Sequence, residues 1–194
     1  MNDFKTVATP LIPSEHLEVA TPEEMKEFEE LKMNYRSTIG SLSYISTAIR
    51  PDISYAVSAL SQFLERPGIN HWRAFIHVLR YLRGSADVCI TYGKGIEGNA
   101  IAYSDAAWRN CRVTHRSVLG HLILFNQGLV IWKTKKQPSV SLLSAEAEYK
   151  SLCNLASEVI WFQQFCSKVK LTNNSQPMKV YEDNQGCIDT GNNN

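Results

Sequence analysis

Ser144-Ala145-Glu146-Ala147-Glu148-Tyr149 is the stretch on which the reading of the fold turns. From Ala145 the apolar positions recur as Ala145, Tyr149, Leu152, Leu155, Ala156 and Val159. That is the spacing of a helix with one buried face, and it predicts a helix from Ser144 to about Phe165. Ser144 is the expected N-cap, and acids in a first turn are favoured by the helix dipole by about 0.3–1 kcal/mol. Glu148 falls on the apolar stripe and Glu146 does not, so one of two neighbouring acids is sent toward whatever the helix packs on. Alone, the pattern is a helix start. Two further acids give it another meaning: Asp105 follows the strand-like run Asn99–Ser104, and Asp183 follows Met178–Glu182. Three acids at the ends of three elements form the pattern of a metal site.

Around this stretch the chain changes character near residue 93. Thr21-Pro22-Glu23-Glu24 starts a helix, with Thr21 capping, Pro22 in the first position and Glu24 closing a capping box. Further helices are expected over about Tyr35–Ile49, Asp52–Leu64 and Asn70–Arg83, separated by Pro51 and Pro67-Gly68 and ended by Gly84. In the last of these Trp72, Ile76, Leu79 and Leu82 make an apolar stripe. Arg73, His77, Arg80 and Arg83 line another face, which is either ordinary solvated charge or a surface for a phosphate backbone. Residues before Ala20, with Thr9-Pro10 and Ile12-Pro13-Ser14, read as an extended lead-in without an enzymatic role. After a short strand-like run at Val88–Tyr92, the glycines Gly93, Gly95 and Gly98 mark the boundary.

Beyond that boundary come strands at Asn99–Ser104, Val118–Phe125 and Leu129–Thr134, the last two joined by Asn126-Gln127-Gly128 as a hairpin loop. The long helix, the strand Met178–Glu182 and a helix from about Gln185 complete an α/β order in which a helix crosses between strands. If the first and last strands lie side by side and parallel, Asp105 and Asp183 meet, and the start of the crossover helix adds Glu148. The division expected is a lead-in with a short helix over 1–34, a helical segment over 35–92 and an α/β domain over 99–194.

Composition narrows the classes. With 194 residues, 44% of them hydrophobic, the chain has material for a real core. A net charge of +1 leaves nucleic-acid affinity to local basic patches. The 5 cysteines, none in a Cys-x-x-Cys pair, argue against a disulfide framework or a zinc site and for a reduced intracellular compartment. No run approaches the roughly 20 apolar residues of a membrane span, so the sequon at Asn173-Asn174-Ser175 is expected to be unused. Neither a Tyr-x-Asp-Asp turn nor a Gly-rich P-loop occurs, so polymerase and NTPase residues are missing from this sequence.

Several local sequences resemble one family. Tyr103-Ser104-Asp105-Ala106-Ala107-Trp108, Lys135-Lys136-Gln137-Pro138, Ser144–Tyr149 and Tyr181-Glu182-Asp183-Asn184-Gln185 resemble the ribonuclease H region of copia-type LTR-retrotransposon polyproteins. Tyr35–Leu42 and Arg50-Pro51-Asp52-Ile53-Ser54-Tyr55-Ala56 resemble the helical part after the reverse-transcriptase palm of the same Pol polyprotein. The resemblance implies an N-terminal helical segment followed by an incomplete ribonuclease H-like α/β fold, a mixed sheet with helices. It makes Asp105, Glu148 and Asp183 the catalytic, metal-binding acids for Mg²⁺, with Mn²⁺ as an alternative, Asp105 bridging two ions about 3.5–4 Å apart. The substrate implied is the RNA strand of an RNA–DNA hybrid, distinguished by its 2′-hydroxyl. Arg73, Arg80, Arg116, Lys133, Lys135 and Lys136 are the candidates for nucleic-acid contact, and Ser144, Asn184 and Gln185 for positioning substrate or water. Other implied partners are the remainder of the Pol polyprotein; the implied setting is a cytoplasmic particle or the nucleus.

Two departures stand out. The family usually carries a second Asp in the first motif, where this chain has Ala107. The sequence ends at Gly191-Asn192-Asn193-Asn194, before the fold's final strand and helix and the family's fourth acid, so the chain alone is expected to cut weakly or not at all. Three functional readings follow: a ribonuclease H-type hydrolase, a noncatalytic module that binds nucleic acid or protein through its helical region, and an inert fragment.

Overall fold

The structure is a computed structural model that describes residues 5–13, 17–93, 99–111, 113–171 and 177–192. The chain divides into two compact units, Met1–Cys89 and Ile90–Asn194. The glycine-rich boundary at 94–98 and the sequon at 173–175 lie outside the described residues.

The first unit is helical. Helix α1 (Pro22–Glu30) starts with the capping box of Thr21 and Glu24, whose side chain accepts the Thr21 N–H at 2.9 Å. Helix α2 spans Tyr35–Ala48, α3 Ser54–Leu60 and α4 Ile69–Gly84. The single helix expected over Asp52–Leu64 is instead α3 between two short 3₁₀ turns, Pro51–Ile53 and Ser61–Phe63. Proline at the first position of the turn fixes its entry, and Arg50 explains why the Arg-Pro-Asp run is there. Its buried guanidinium pairs with Asp52 at 2.7 Å and donates to the Ser85 carbonyl at 3.0 Å, tying this turn to the end of α4. Phe28, Tyr35, Ile39, Leu42, Ile53, Leu60, Phe75 and Val78 form the core.

Helix α4 is turned slightly from its expected phase. Ile69, His71, Phe75 and Val78 are its buried line, and Trp72, Ile76, Leu79 and Leu82 flank it half-buried. The lead-in meets this helix at its buried line and over part of its basic side. His77 Nε2 lies 3.0 Å from the Thr9 carbonyl oxygen, Arg80 Nε donates to the Lys5 carbonyl at 2.6 Å, and His71 Nε2 lies 2.9 Å from the Glu18 carbonyl oxygen. The extended segment is therefore part of this unit's packing.

The second unit is the α/β part. Strands β1 (Ala100–Ala107), β2 (Val118–Phe125) and β3 (Gly128–Lys136) form an antiparallel meander, and the short β4 (Lys179–Tyr181) joins β1 in parallel, giving the order β3-β2-β1-β4. Helix α5 (Ser144–Lys168) makes the crossover, and α6 (Gln185–Asn192) follows β4. This is the mixed sheet with helices of a ribonuclease H-like α/β fold. Val88–Tyr92 forms no strand; Tyr92 instead donates its hydroxyl to the Leu129 carbonyl at 2.9 Å. The hairpin turns on Asn126 and Gln127 alone, both with positive φ, as a two-residue connection between twisted strands requires.

Helix α5 packs on one face of the sheet through Leu155, Val159, Phe162 and Cys166 against Ala102 and Ile123. Its buried line is Ala147, Glu148, Ser151, Leu155, Val159, Phe162 and Cys166, while Tyr149 and Ala156 are exposed. The expected stripe was displaced because two of the buried positions are polar and have polar partners on the sheet. Ser144 is the first helical residue rather than the cap; Leu143 occupies the cap position without a side-chain bond.

Candidate metal centre

Strand alternation decides which residues of β1 face α5. Ala102, Ser104 and Ala106 are buried on the helix side, and Tyr103 and Asp105 are exposed on the other. Asp105 lies within β1 rather than after it, because the strand runs on to Ala107. The parallel pairing sets Tyr103 beside Tyr181, their rings stacked at 5.2 Å and 18°. Tyr103 and Tyr181 are the last pair of that ladder, and Asp105 and Asp183 each follow it by two residues. Beyond Tyr181 the β4 ladder stops, leaving the end of β1 open on that edge. The Glu148 carboxylate enters there from the first turns of α5 and accepts the Ala106 backbone N–H.

Asp105, Glu148 and Asp183 each offer a carboxylate oxygen, and these oxygens all lie within 4.8 Å of one another. Glu148 is 7% exposed, and its Oε2 has no hydrogen-bond partner among the described residues. Burial, then the charges of Glu182, Asp105 and Asp183, push its pKa up to about 7. A buried carboxylate with one oxygen lacking a donor, grouped with two more carboxylates, suits a hard cation. No histidine or cysteine shares the group, so the donor set suits Mg²⁺ or Mn²⁺ rather than zinc. Glu146 is directed away: it pairs with Lys150 at 2.7 Å and accepts the Leu142 N–H at 2.8 Å.

Two residues hold the centre that sequence reasoning passed over. Ser151 lies three positions after Glu148 on the same helix face, and its hydroxyl donates to the Asp105 carbonyl at 2.9 Å. Gln137 is 1% exposed; it donates to the Ala147 carbonyl at 2.8 Å and accepts the Ser141 hydroxyl at 3.1 Å, while its N–H bonds the Ser117 carbonyl. It thereby ties the end of β3 to the turn that carries Glu148. Helical spacing could have found Ser151; the motif around Gln137 marked the position but not its task. A third, Glu182, is half-buried beside Glu148.

The remaining candidates scatter. Asn184 caps α6, accepting the Cys187 N–H at 3.0 Å, and Gln185 bonds Asp189 within that helix at 2.8 Å. Ser144 is exposed at the head of α5. Lys133 pairs with Glu158 of α5 at 3.0 Å; Lys135 is exposed on the same sheet face by alternation, and Lys136 is on the other, 3.8 Å from the Cys111 sulfur. Arg116 is half-buried in the loop before β2. Arg73 and Arg80 belong to the helical unit, Arg73 paired with Glu27 at 3.0 Å.

Comparison with known proteins places this arrangement. The chain is 36% identical over 197 residues to the retrovirus-related Pol polyprotein from transposon TNT 1-94 of Nicotiana tabacum, covering 100% of this chain and 14% of that protein. It is 37% identical over 183 residues to the Pol polyprotein from transposon RE2 of Arabidopsis thaliana, covering 94% of this chain and 12% of that protein. The chain belongs to the copia-type retrotransposon Pol family. It spans only 12–14% of the length of these Pol relatives. A Pol segment of this kind is also similar to secreted RxLR effector protein 161 of Plasmopara viticola, 37% identical over 127 residues, 66% of this chain and 89% of that protein. No family model and no solved structure matches the sequence. Among the described residues of this Pol segment no helix is long and apolar enough to cross a membrane.

Proposed function

We propose that the unit from Ile90 onward is the ribonuclease H-type part of a retrotransposon Pol polyprotein, which hydrolyses the RNA strand of RNA–DNA hybrids. The observation that carries this reading is the convergence of Asp105, Glu148 and Asp183 from a strand, a crossover helix and a neighbouring strand end, with a buried carboxylate oxygen left unpaired. Those three side chains would hold Mg²⁺ or Mn²⁺. When bound, such ions supply an activated water and charge stabilisation at the leaving oxygen. In the hydrolysis a P–O bond breaks, the hydroxyl of water joins phosphorus and its proton ends on the leaving oxygen.

The protein's own share is placement. Ser151 fixes the β1 backbone at Asp105, the Ala106 N–H orients Glu148, and Gln137 fixes the turn from which Glu148 projects. The stacked Tyr103 and Tyr181, 41% and 48% exposed on the Asp105 side of the sheet, offer an apolar floor next to the acids. The test is cleavage of an end-labelled RNA–DNA hybrid in Mg²⁺ or Mn²⁺ beside Asp105→Asn. Metal-dependent cutting of the RNA strand that Asp105→Asn abolishes supports the reading. Hybrid binding without cutting, weakening as salt rises, would instead favour a noncatalytic nucleic-acid module.

A further inference from the structure

We propose that the helical unit holds a further binding site, a preformed cavity between the lead-in and α4 that takes an organic phosphate of mononucleotide size, a phosphate monoester carried on an apolar or aromatic body. The inference goes beyond the nuclease reading and rests on nothing in it, because the residues that line the cavity belong to the unit Met1–Cys89.

The lead-in is tied to α4 at two places. Lys5 and Thr9 offer their carbonyls to Arg80 and His77, and the Glu18 carbonyl oxygen lies 2.9 Å from His71 Nε2. Between those ties the chain has more length than the stretch of helix it crosses, since a helix advances only about 1.5 Å per residue and an extended chain about 3.3 Å. What is left is a cavity of about 470 Å³, a volume typical of small-molecule sites. Its walls are of two kinds. Leu11, Leu17 and Ala74, packed against the helical core, supply an apolar side. Arg73, His77 and Arg80 supply a basic one, because their spacing on α4 puts them on one face. Among the described residues the Arg80 guanidinium is engaged through Nε and that of Arg73 through Nη2, so each keeps N–H donors for another acceptor. Glu27 holds Arg73 only by an ion pair whose side chains are 69% and 54% exposed, and a doubly charged anion displaces such a pair at little cost. Two guanidinium forks call for more acceptor oxygens than a carboxylate has, and a phosphate supplies them. The apolar side calls for a body that inorganic phosphate lacks, and the volume leaves room for one the size of a nucleoside.

The experiment is calorimetric titration of the full chain with AMP, and with adenosine and inorganic phosphate as partial probes, alongside thermal melts, for the wild type, Arg73→Gln, Arg80→Gln and Ala74→Leu. EDTA is present throughout, so that no cation on the acids of the other unit takes up the phosphate. AMP should bind at one site per chain, about tenfold or more tighter than either partial probe. Arg73→Gln and Arg80→Gln should each weaken AMP about three- to tenfold. Ala74→Leu keeps every charge and fills the apolar side, and it should abolish binding. Arg80→Gln also gives up the tie to the Lys5 carbonyl, whereas Arg73 is exposed and its loss should leave Tm unchanged, so Arg73→Gln separates binding from folding. No AMP binding by the wild type, phosphate binding as tightly as AMP, or AMP affinity unchanged in Arg73→Gln would each overturn the proposal. So would full AMP affinity in Ala74→Leu, which would move the binding to exposed charge outside the cavity.

Discussion

Burial and three neighbouring carboxylates hold Glu148 protonated up to about pH 7, well above the ordinary 4.5 of a glutamic acid. A carboxyl whose folded-state pKa is raised contributes stability that is fully present below pH 4.5 and is lost as pH rises through about 7. Without divalent cations the second unit should therefore lose on the order of 2 kcal/mol across that window, and Glu148→Gln should flatten the loss while abolishing any Mg²⁺-dependent rise in Tm. Thermal melts between pH 4.5 and 8, with EDTA or with Mg²⁺, measure both. A slope of the opposite sign in EDTA would show that Glu148 is not the destabilised acid. At this scale the sequence was informative where helical phase carried the information: Glu148 separates from Glu146 by direction alone. It was silent on Glu182, because that residue follows a strand of only 3 residues, too few alternations to declare an inside.

Two polar side chains, Ser151 and Gln137, hold the elements of the second unit in register. Gln137 is the larger one, a buried amide that joins β3, the following loop and the first turn of α5. Gln137→Ala would leave the Ser141 hydroxyl without its acceptor and remove the second bond to the Ala147 carbonyl, costing about 1–3 kcal/mol, and would loosen Glu148 enough to weaken Mn²⁺ binding. Chemical denaturation and Mn²⁺ titration of that variant check the two effects, and a stability loss without any change in Mn²⁺ affinity would detach Gln137 from the centre. The hairpin gives a test of opposite sign. Gln127 sits at φ 67°, where a side chain is strained, so Gln127→Gly should stabilise by about 0.5–1 kcal/mol in denaturant melts. Val118–Phe125 was legible to the residue because hydrophobic runs bounded by turn residues mark strands well. The helix over 52–64 was not, since its first turn is held as a 3₁₀ turn by Arg50, which binds Asp52 and reaches Ser85 across 35 residues, a contact that periodicity does not contain.

Across the whole molecule the sequence divides where its hydrophobic period changes, and two compact units meet at residues 89 and 90. The α/β order and the ribonuclease H-like class were readable from that change together with the turn residues. The role of the lead-in was not: its carbonyls meet His77 and Arg80 across 68 and 75 residues of sequence, contacts that leave no local pattern. The same contacts occupy part of the basic face of α4 that had suggested a phosphate surface, so sequence charge alone overstated what is free there. With a net charge of +1, the carboxylate cluster is a local feature on a nearly neutral chain, and the proposed nuclease reading requires a cation there. A crystal of the full chain soaked in Mn²⁺ and measured at the manganese absorption edge addresses that requirement directly. The expected result is anomalous density among the carboxylates of Asp105, Glu148 and Asp183, absent from Asp105→Asn crystals; manganese bound elsewhere, or the three side chains turned apart to solvent, would contradict it.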